Sequence, residues 1–274
     1  MKSGTTSLFG FLQGHPDVFM ANPKELNFFL DQGNWARGTG WYSERFIDSE
    51  GALAVGEVSP TYAQTHLYPE VPERMAALIP DARLILLVRE PIERIRSMYA
   101  HMSIDGLEEL PIDEAVVANC DYVETSRYIR HIRAFEEWFP RSQIHVCISE
   151  RLRDDPIGQL DEIASFVGVP KWTEAGISPS DDRNLTSRRM LESRTGVGLK
   201  SHPWYWNGLN RSWRLRELHR RVFERPVAVP DTSMDPTIEL ELRSVLDEDT
   251  AELEQWLGSS IEEWRVPTGD GPLP

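Results

Sequence analysis

The sequence predicts an α/β fold, a central parallel sheet flanked by helices. Three observations carry this. Short apolar runs alternate along the chain with helical segments that stop at Gly or Pro. One run, Leu84–Val88, is continuously apolar, as a strand covered on both faces must be. The 274 residues, 40% of them hydrophobic, suit one large domain, placed at 1–266 with a tail at 267–274.

The elements follow in order. A helix is expected from Thr5 to Gln13, closed by Gly14 with Pro16 beyond it. Val18-Phe19-Met20 is a short apolar run. Lys24-Glu25 ahead of Phe28-Phe29 makes an amphipathic turn, or a short surface helix anchored by the two rings. Trp41–Phe46 reads as a helical turn. Leu53–Val58 reads as a strand ended by Ser59-Pro60. A helix from Glu73 to Ile79 closes at Pro80. The strand Arg83–Val88 ends at Arg89, and Pro91 opens a helix through Ile95, Met98 and Met102. One long helix is expected from Tyr122 to Phe139, then a buried strand from Gln143 to Ile148, then a helix from Ile157 to Phe166. Residues 171–209 read as loop-rich, 211–223 as a basic helix and Thr237–Leu257 as a final acidic helix.

Charge limits the partners. Lys and Arg number 29 against 44 Asp and Glu, so the net charge is −15 and most of the surface repels nucleic acid and acidic membranes. Between Arg183 and Arg225 lie 11 Lys and Arg against three acids, a local +8 that leaves −23 elsewhere. Such an island in an acidic chain marks a local anion site or a solvated helix face. No run approaches the ~20 apolar residues of a membrane span, and no signal peptide is visible. Cys120 and Cys147 form no disulfide framework, which points to a reducing, cytoplasmic compartment. A lumenal, membrane-anchored form is expected instead if the natural chain starts upstream. No His, Cys or Asp cluster has metal-ligand spacing, so no metal is expected.

The chemistry concentrates at two places. In Lys2-Ser3-Gly4-Thr5-Thr6-Ser7, a lysine, a turn glycine and four hydroxyls precede the apolar-periodic run of the first helix. Gly4 permits a tight turn, so that N–H groups of the first helical turn converge on one spot. The helix dipole adds partial positive charge there, and Lys2 adds a full one, as a phosphate-like group requires. An ordinary capped helix is the plainer alternative. Loops of this kind follow a buried strand, so the first strand is expected to be missing or supplied from upstream. The second place is Arg89, at the carboxyl end of the best strand, where open α/β sheets bind ligands. Its guanidinium suits a phosphate, and Ser97 lies two turns along the next helix.

Together these residues resemble the PAPS-dependent sulfotransferases of the heparan-sulfate and bacterial type. Lys2-Ser3-Gly4-Thr5-Thr6 is similar to their 5′-phosphosulfate loop. Leu87-Val88-Arg89-Glu90-Pro91 with Ser97 is similar to their 3′-phosphate motif. His15–Met20, Lys24-Glu25 before Phe28-Phe29, Gly56–Tyr62 and Glu150/Leu152 also match. The resemblance covers residues 1–170 and implies a P-loop-like fold related to the nucleotide hydrolases. It implies that Lys2, Ser3, Gly4, Thr5, Thr6 and Ser7 surround the phosphosulfate and that Arg89 and Ser97 hold the 3′-phosphate. It maps the family's glutamate base onto Glu25. One departure stands out, since Val58 occupies the place where those relatives often carry lysine.

Sulfuryl transfer in that setting needs an in-line donor and acceptor, charge stabilisation on the departing 3′-phosphoadenosine-5′-phosphate, and a base for the acceptor proton. Glu25 is expected in that last role, given partial burial beside Phe28 and Phe29; an ion pair with Lys24 is its structural alternative. His15 reads as structural, and His101 as packing or exposed. Arg194 and Lys200, in a Gly-containing loop, are expected over the 3′-phosphate and adenine, or else in a solvated loop. Trp204, Trp206 and Trp213 either stack on an acceptor or sit in the core. The expected acceptor is a carbohydrate, lipid or small-molecule hydroxyl or amine, with polyanionic glycosaminoglycans disfavoured by the acidity. The rivals are a P-loop kinase and a degenerate PAPS-binding protein. Against the kinase, Met1 stands where its motif needs glycine, and the best strand ends in Arg89 rather than a magnesium-holding Asp.

Overall fold

The computed structural model describes residues 2–176 and 230–265, with 190–192, 218, 219, 222 and 224–226 between them. Arg194, Lys200, Trp204, Trp206, Trp213, most of the basic segment 211–223 and the tail 267–274 lie outside the described residues.

The chain enters helix α1 (Thr5–Gln13), turns at Gly14, and forms β1 (Val18–Met20). After a long irregular segment come α2 (Gly38–Glu44), β2 (Ala54–Gly56) and α3 (Val71–Leu78). Then follow β3 (Leu84–Val88), α4 (Pro91–Ile104), α5 (Ile112–Ala118), α6 (Asp121–Glu124) and α7 (Tyr128–Glu136). Strand β4 (Ile144–Ile148) leads into α8 (Ser149–Asp154), α9 (Pro156–Val167) and α10 (Trp172–Ala175). Two short strands, β5 (Met190–Glu192) and β6 (Glu224–Pro226), precede the long α11 (Pro236–Leu257).

The α/β class holds, but the expected single central sheet does not. β1 pairs with β2 in parallel, Phe19 opposite Val55, and β3 pairs with β4 in parallel, Leu86 opposite Val146. β5 and β6 form a separate antiparallel pair. β2 and β3 do not pair with each other, and a cavity of about 1240 Å³ is lined by Val55 and Val58 from one parallel pair's side and by Leu84, Ile85 and Leu86 of the other. That explains why the first three residues of β3 are only half-buried, although the apolar run predicts cover on both faces.

Successive residues of β3 feed opposite layers, as the strand period demands. Leu87 packs with Leu8 and Leu12 of α1, Cys147 of β4 and Leu160 and Ile163 of α9. Val88 faces the other way, into a core built from α3, α7, α11 and the rings of Phe28, Phe29 and Tyr42. Cys147 is fully buried in the Leu87 layer as a free thiol. A third cluster joins Ile92, Ile95 and Tyr99 of α4 to α5 and to Leu246 of α11. Each such aliphatic side chain removed from water contributes about 1.5–3 kcal/mol.

The helix expected from Tyr122 to Phe139 is broken at Thr125–Arg127, and the cause is Arg94. Its side chain, 0% exposed on α4, donates Nε–H to Ser126 Oγ at 2.6 Å and a second N–H to the Tyr122 carbonyl. That carbonyl is the one a continuous helix would offer to the Ser126 N–H, which bonds Val123 O instead. The segment 24–29 also departs from expectation. It is an irregular loop rather than a surface helix, and Phe28 and Phe29 are wholly buried.

Candidate functional site

Helix α1 opens with the geometry that holds an anion. Gly4 is its N-cap, in the left-handed region at φ 96°, and no side chain caps the first turn. Lys2 is also left-handed, at φ 66°. Ser3 is 1% exposed, and its Oγ has no partner among the described residues. A buried hydroxyl left so costs about 1–3 kcal/mol, which a ligand oxygen would offset. The loop sits at the carboxyl ends of β3 and β4: a Cβ on Gly4 would lie 3.6 Å from Leu87 Cδ2 and 3.5 Å from Ser149 Oγ.

Arg89 leaves β3 at that same edge. Its backbone is pinned by Tyr128, whose hydroxyl donates to Arg89 O at 2.7 Å. The next residue, Glu90, donates its N–H to Glu150 Oε1 at 3.1 Å and caps α4 by accepting from Glu93 N at 2.6 Å. The Arg89 guanidinium donates to Glu93 at 3.2 Å. Glu93 also takes Arg96, Arg96 reaches Glu239 of α11, Glu239 takes Arg243, and Arg243 returns to Glu90. This chain of alternating charges fixes α11 against the start of α4. The Arg89–Glu93 link itself is half-exposed, so it is worth at most about 1 kcal/mol. Ser97 is partly buried one turn beyond Glu93, on the same face of α4.

Glu25 lies past the ends of β1 and β2. It is left-handed at φ 66°, donates its N–H to Val58 O at 2.9 Å, and pairs with Lys24 Nζ at 2.6 Å. Its side chain is 44% exposed, so the burial expected beside Phe28 and Phe29 is not what the structure shows. Both rings turn into the core, and the carboxylate is bound to its neighbouring lysine. α1 begins beside the carboxyl ends of β3 and β4, where Arg89 leaves β3, and Glu25 follows the end of β1.

Sequence reasoning missed Glu57. It was visible only as part of a motif, because nothing in the pattern shows a carboxylate at a strand exit turning inward. Its Oε2 accepts from Ser59 Oγ at 2.7 Å, and its Oε1 accepts from the hydroxyls of Tyr42 and Tyr62, each at 3.0 Å. Burial pushes its pKa above the usual carboxylate range, against the lowering effect of those three donors. His15 is structural as expected: Nδ1 accepts from Asp17 N–H, so Nε2 donates to Pro170 O at 2.9 Å, and the ring meets Trp172 edge-on. His101 sits on α4 beside Asp105, 3.4 Å away. Among the described residues no group of three or more His, Cys, Asp or Glu is placed to hold a metal, and no helix is long and apolar enough to cross a membrane.

The fold is an α/β frame in which a helix start and an arginine lie at one strand edge. The chain belongs to the sulfotransferase domain family, whose model matches residues 1–221. It is 32% identical over 182 residues to mouse heparan sulfate glucosamine 3-O-sulfotransferase 5, covering 62% of this chain and 51% of that protein. It is 28% identical over 190 residues to human bifunctional heparan sulfate N-deacetylase/N-sulfotransferase 3, covering 61% and 21%. The chain thus matches about half the length of the first of these or less. In fold it is similar to a sulfotransferase from Alicyclobacillus acidocaldarius, with a TM-score of 0.67, 24% identity, and coverage of 97% of this chain and 95% of that one.

Proposed function

We propose that the chain is a PAPS-dependent sulfotransferase acting on a hydroxyl, or an amine, of a carbohydrate, lipid or small-molecule acceptor. One observation carries the reading: the uncapped start of α1, with Gly4 against Leu87 and Ser149, lies at the strand edge from which Arg89 emerges. Two anion grips side by side suit one adenosine with phosphate at both 5′ and 3′ positions, in a single P-loop-like domain. Lys2, Ser3, Gly4, Thr5, Thr6 and Ser7 hold the 5′-phosphosulfate. Arg89 and Ser97 hold the 3′-phosphate, with Arg194 and Lys200 proposed to cover the nucleotide.

The donor supplies an activated sulfuryl group. Glu25 takes the proton of the acceptor hydroxyl as the new S–O bond forms. The bond from sulfur to the 5′-phosphate oxygen breaks, and its electron pair leaves with 3′-phosphoadenosine-5′-phosphate. Lys2 and the first-turn N–H groups of α1 stabilise that departing charge. In this reading the ion pair with Lys24 holds the Glu25 side chain in place, and no metal takes part. The names of the relatives point to glucosamine units as acceptors. The net charge of −15 favours an uncharged sugar or alcohol over a sulfated polyanion. The free thiols Cys120 and Cys147 support a cytoplasmic location.

An acceptor screen with labelled PAPS tests the proposal, with Lys2→Ala and Glu25→Gln as controls. Label transfer that both substitutions suppress supports it. Stabilisation by Mg-ATP but not by metal-free 3′,5′-ADP favours the kinase reading, and donor binding without any transfer favours a binding protein.

A further inference from the structure

We infer that Glu57 is a positioning residue for catalysis: its buried carboxylate fixes the hydroxyls of Ser59 and Tyr62 so that they hold the loop carrying Glu25. The inference rests on the reading of Glu25 as base. The loop needs holding, because Glu25 and Asn27 both adopt left-handed backbone, at φ 66° and 47°. Residues without the freedom of glycine keep that conformation only where the surroundings impose it.

The surroundings here are a short ladder. Asn27 N–H donates to Ser59 Oγ at 3.1 Å, and Phe28 N–H donates to Tyr62 Oη at 2.7 Å. Both oxygens are hydroxyls, and a hydroxyl can either donate or accept along a given contact. Glu57 accepts from both, so the O–H of Ser59 and of Tyr62 point toward its carboxylate. Their lone pairs are then turned to the loop amides. The polarity runs one way, from backbone N–H through hydroxyl to carboxylate. Tyr42 supplies the third donor to Glu57 and stacks on Phe28 with ring centroids 4.4 Å apart, closing the network from behind. Glu25 itself is tied to the same strand exit through Val58 O.

Glu57→Gln tests this with almost no change of volume. The amide replaces one acceptor oxygen by a donor, so a hydroxyl that donated to Glu57 loses its acceptor and is no longer held with its lone pair toward the loop amide. The expected result is a fall in kcat of roughly 10- to 100-fold, with binding of 3′,5′-ADP unchanged, since the phosphate grips lie elsewhere. A double-mutant cycle separates positioning from general damage. In the Glu25→Gln background, Glu57→Gln should cost less than threefold further, because the base it positions is already gone. Losses that multiply fully, or a Glu57→Gln protein with normal kcat beside a slow Glu25→Gln protein, would overturn the inference. Normal turnover of Glu25→Gln alone would instead remove the reading of Glu25 on which it stands.

Discussion

Glu25 shows how much a single side chain asks of its backbone. Its carboxylate is half-exposed and paired with Lys24, an arrangement that by itself would be an unremarked surface ion pair worth less than about 1 kcal/mol. Its left-handed φ and the amide ladder behind it mark it out. Glu25→Gln should lower kcat by about 10²–10⁴-fold, the usual reach of a general base, and leave donor affinity unchanged. Steady-state transfer measured beside 3′,5′-ADP titration checks both halves. Lys2→Ala should act differently, weakening donor binding and rate together, because a charge facing the phosphosulfate serves ground state and transition state alike. The start of α1 was legible in sequence, since a glycine and hydroxyls precede its apolar-periodic run. Glu57 was not. Part of what surrounds its carboxylate is Tyr42, fifteen residues earlier in the chain, and no spacing rule joins them.

Among the elements, α1 runs from Thr5 to Gln13 as its caps predict, and β3 and β4 fall within a residue of their apolar runs. Strong periodicity with Gly or Pro at the ends is what made them readable. The helix expected across 122–139 failed for a tertiary reason: Arg94, buried on α4, takes the Tyr122 carbonyl from the helical ladder. Core layers give a direct stability test. Ile163 is fully buried between α9 and Leu87, so Ile163→Ala should cost about 2–5 kcal/mol in urea unfolding. α11 offers a test in pH. Asp249 accepts from Ile129 N–H at 3.4 Å at the start of α7, and burial pushes its carboxyl up to about 6 from an ordinary 3.8. A raised pKa means that the folded state holds the proton longer, so this residue's favourable contribution is complete below pH 4 and is lost as pH rises through 6. The stability of Asp249→Asn relative to the parent should therefore grow by on the order of 3 kcal/mol between pH 4 and pH 7. A flat difference would mean that the carboxyl is hydrated rather than buried.

At the scale of the molecule, the alternation of strand and helix was enough to give the α/β class but not the sheet. Pairing partners are set by register and direction across the chain, which local periodicity does not encode. The described residues form two parallel pairs, with a cavity of about 1240 Å³ lined by residues of both, and Gly4 and Arg89 lie at the carboxyl end of β3. Charge is organised on the same scale. The alternating Arg and Glu chain from Arg89 to Arg243 ties α11 to the site, so occupancy there should stiffen the whole fold.

The two grips on one nucleotide are tested most directly by metal-free binding of 3′,5′-ADP and of 5′-AMP, which lacks the 3′-phosphate. The parent protein should bind 3′,5′-ADP more tightly by roughly 10- to 100-fold, as a charge-assisted contact worth about 1.5–3 kcal/mol requires. Arg89→Ala should erase that preference, while Lys2→Ala should weaken both ligands together. A parent protein indifferent to the 3′-phosphate, or an Arg89→Ala protein that keeps the full preference, would contradict the account.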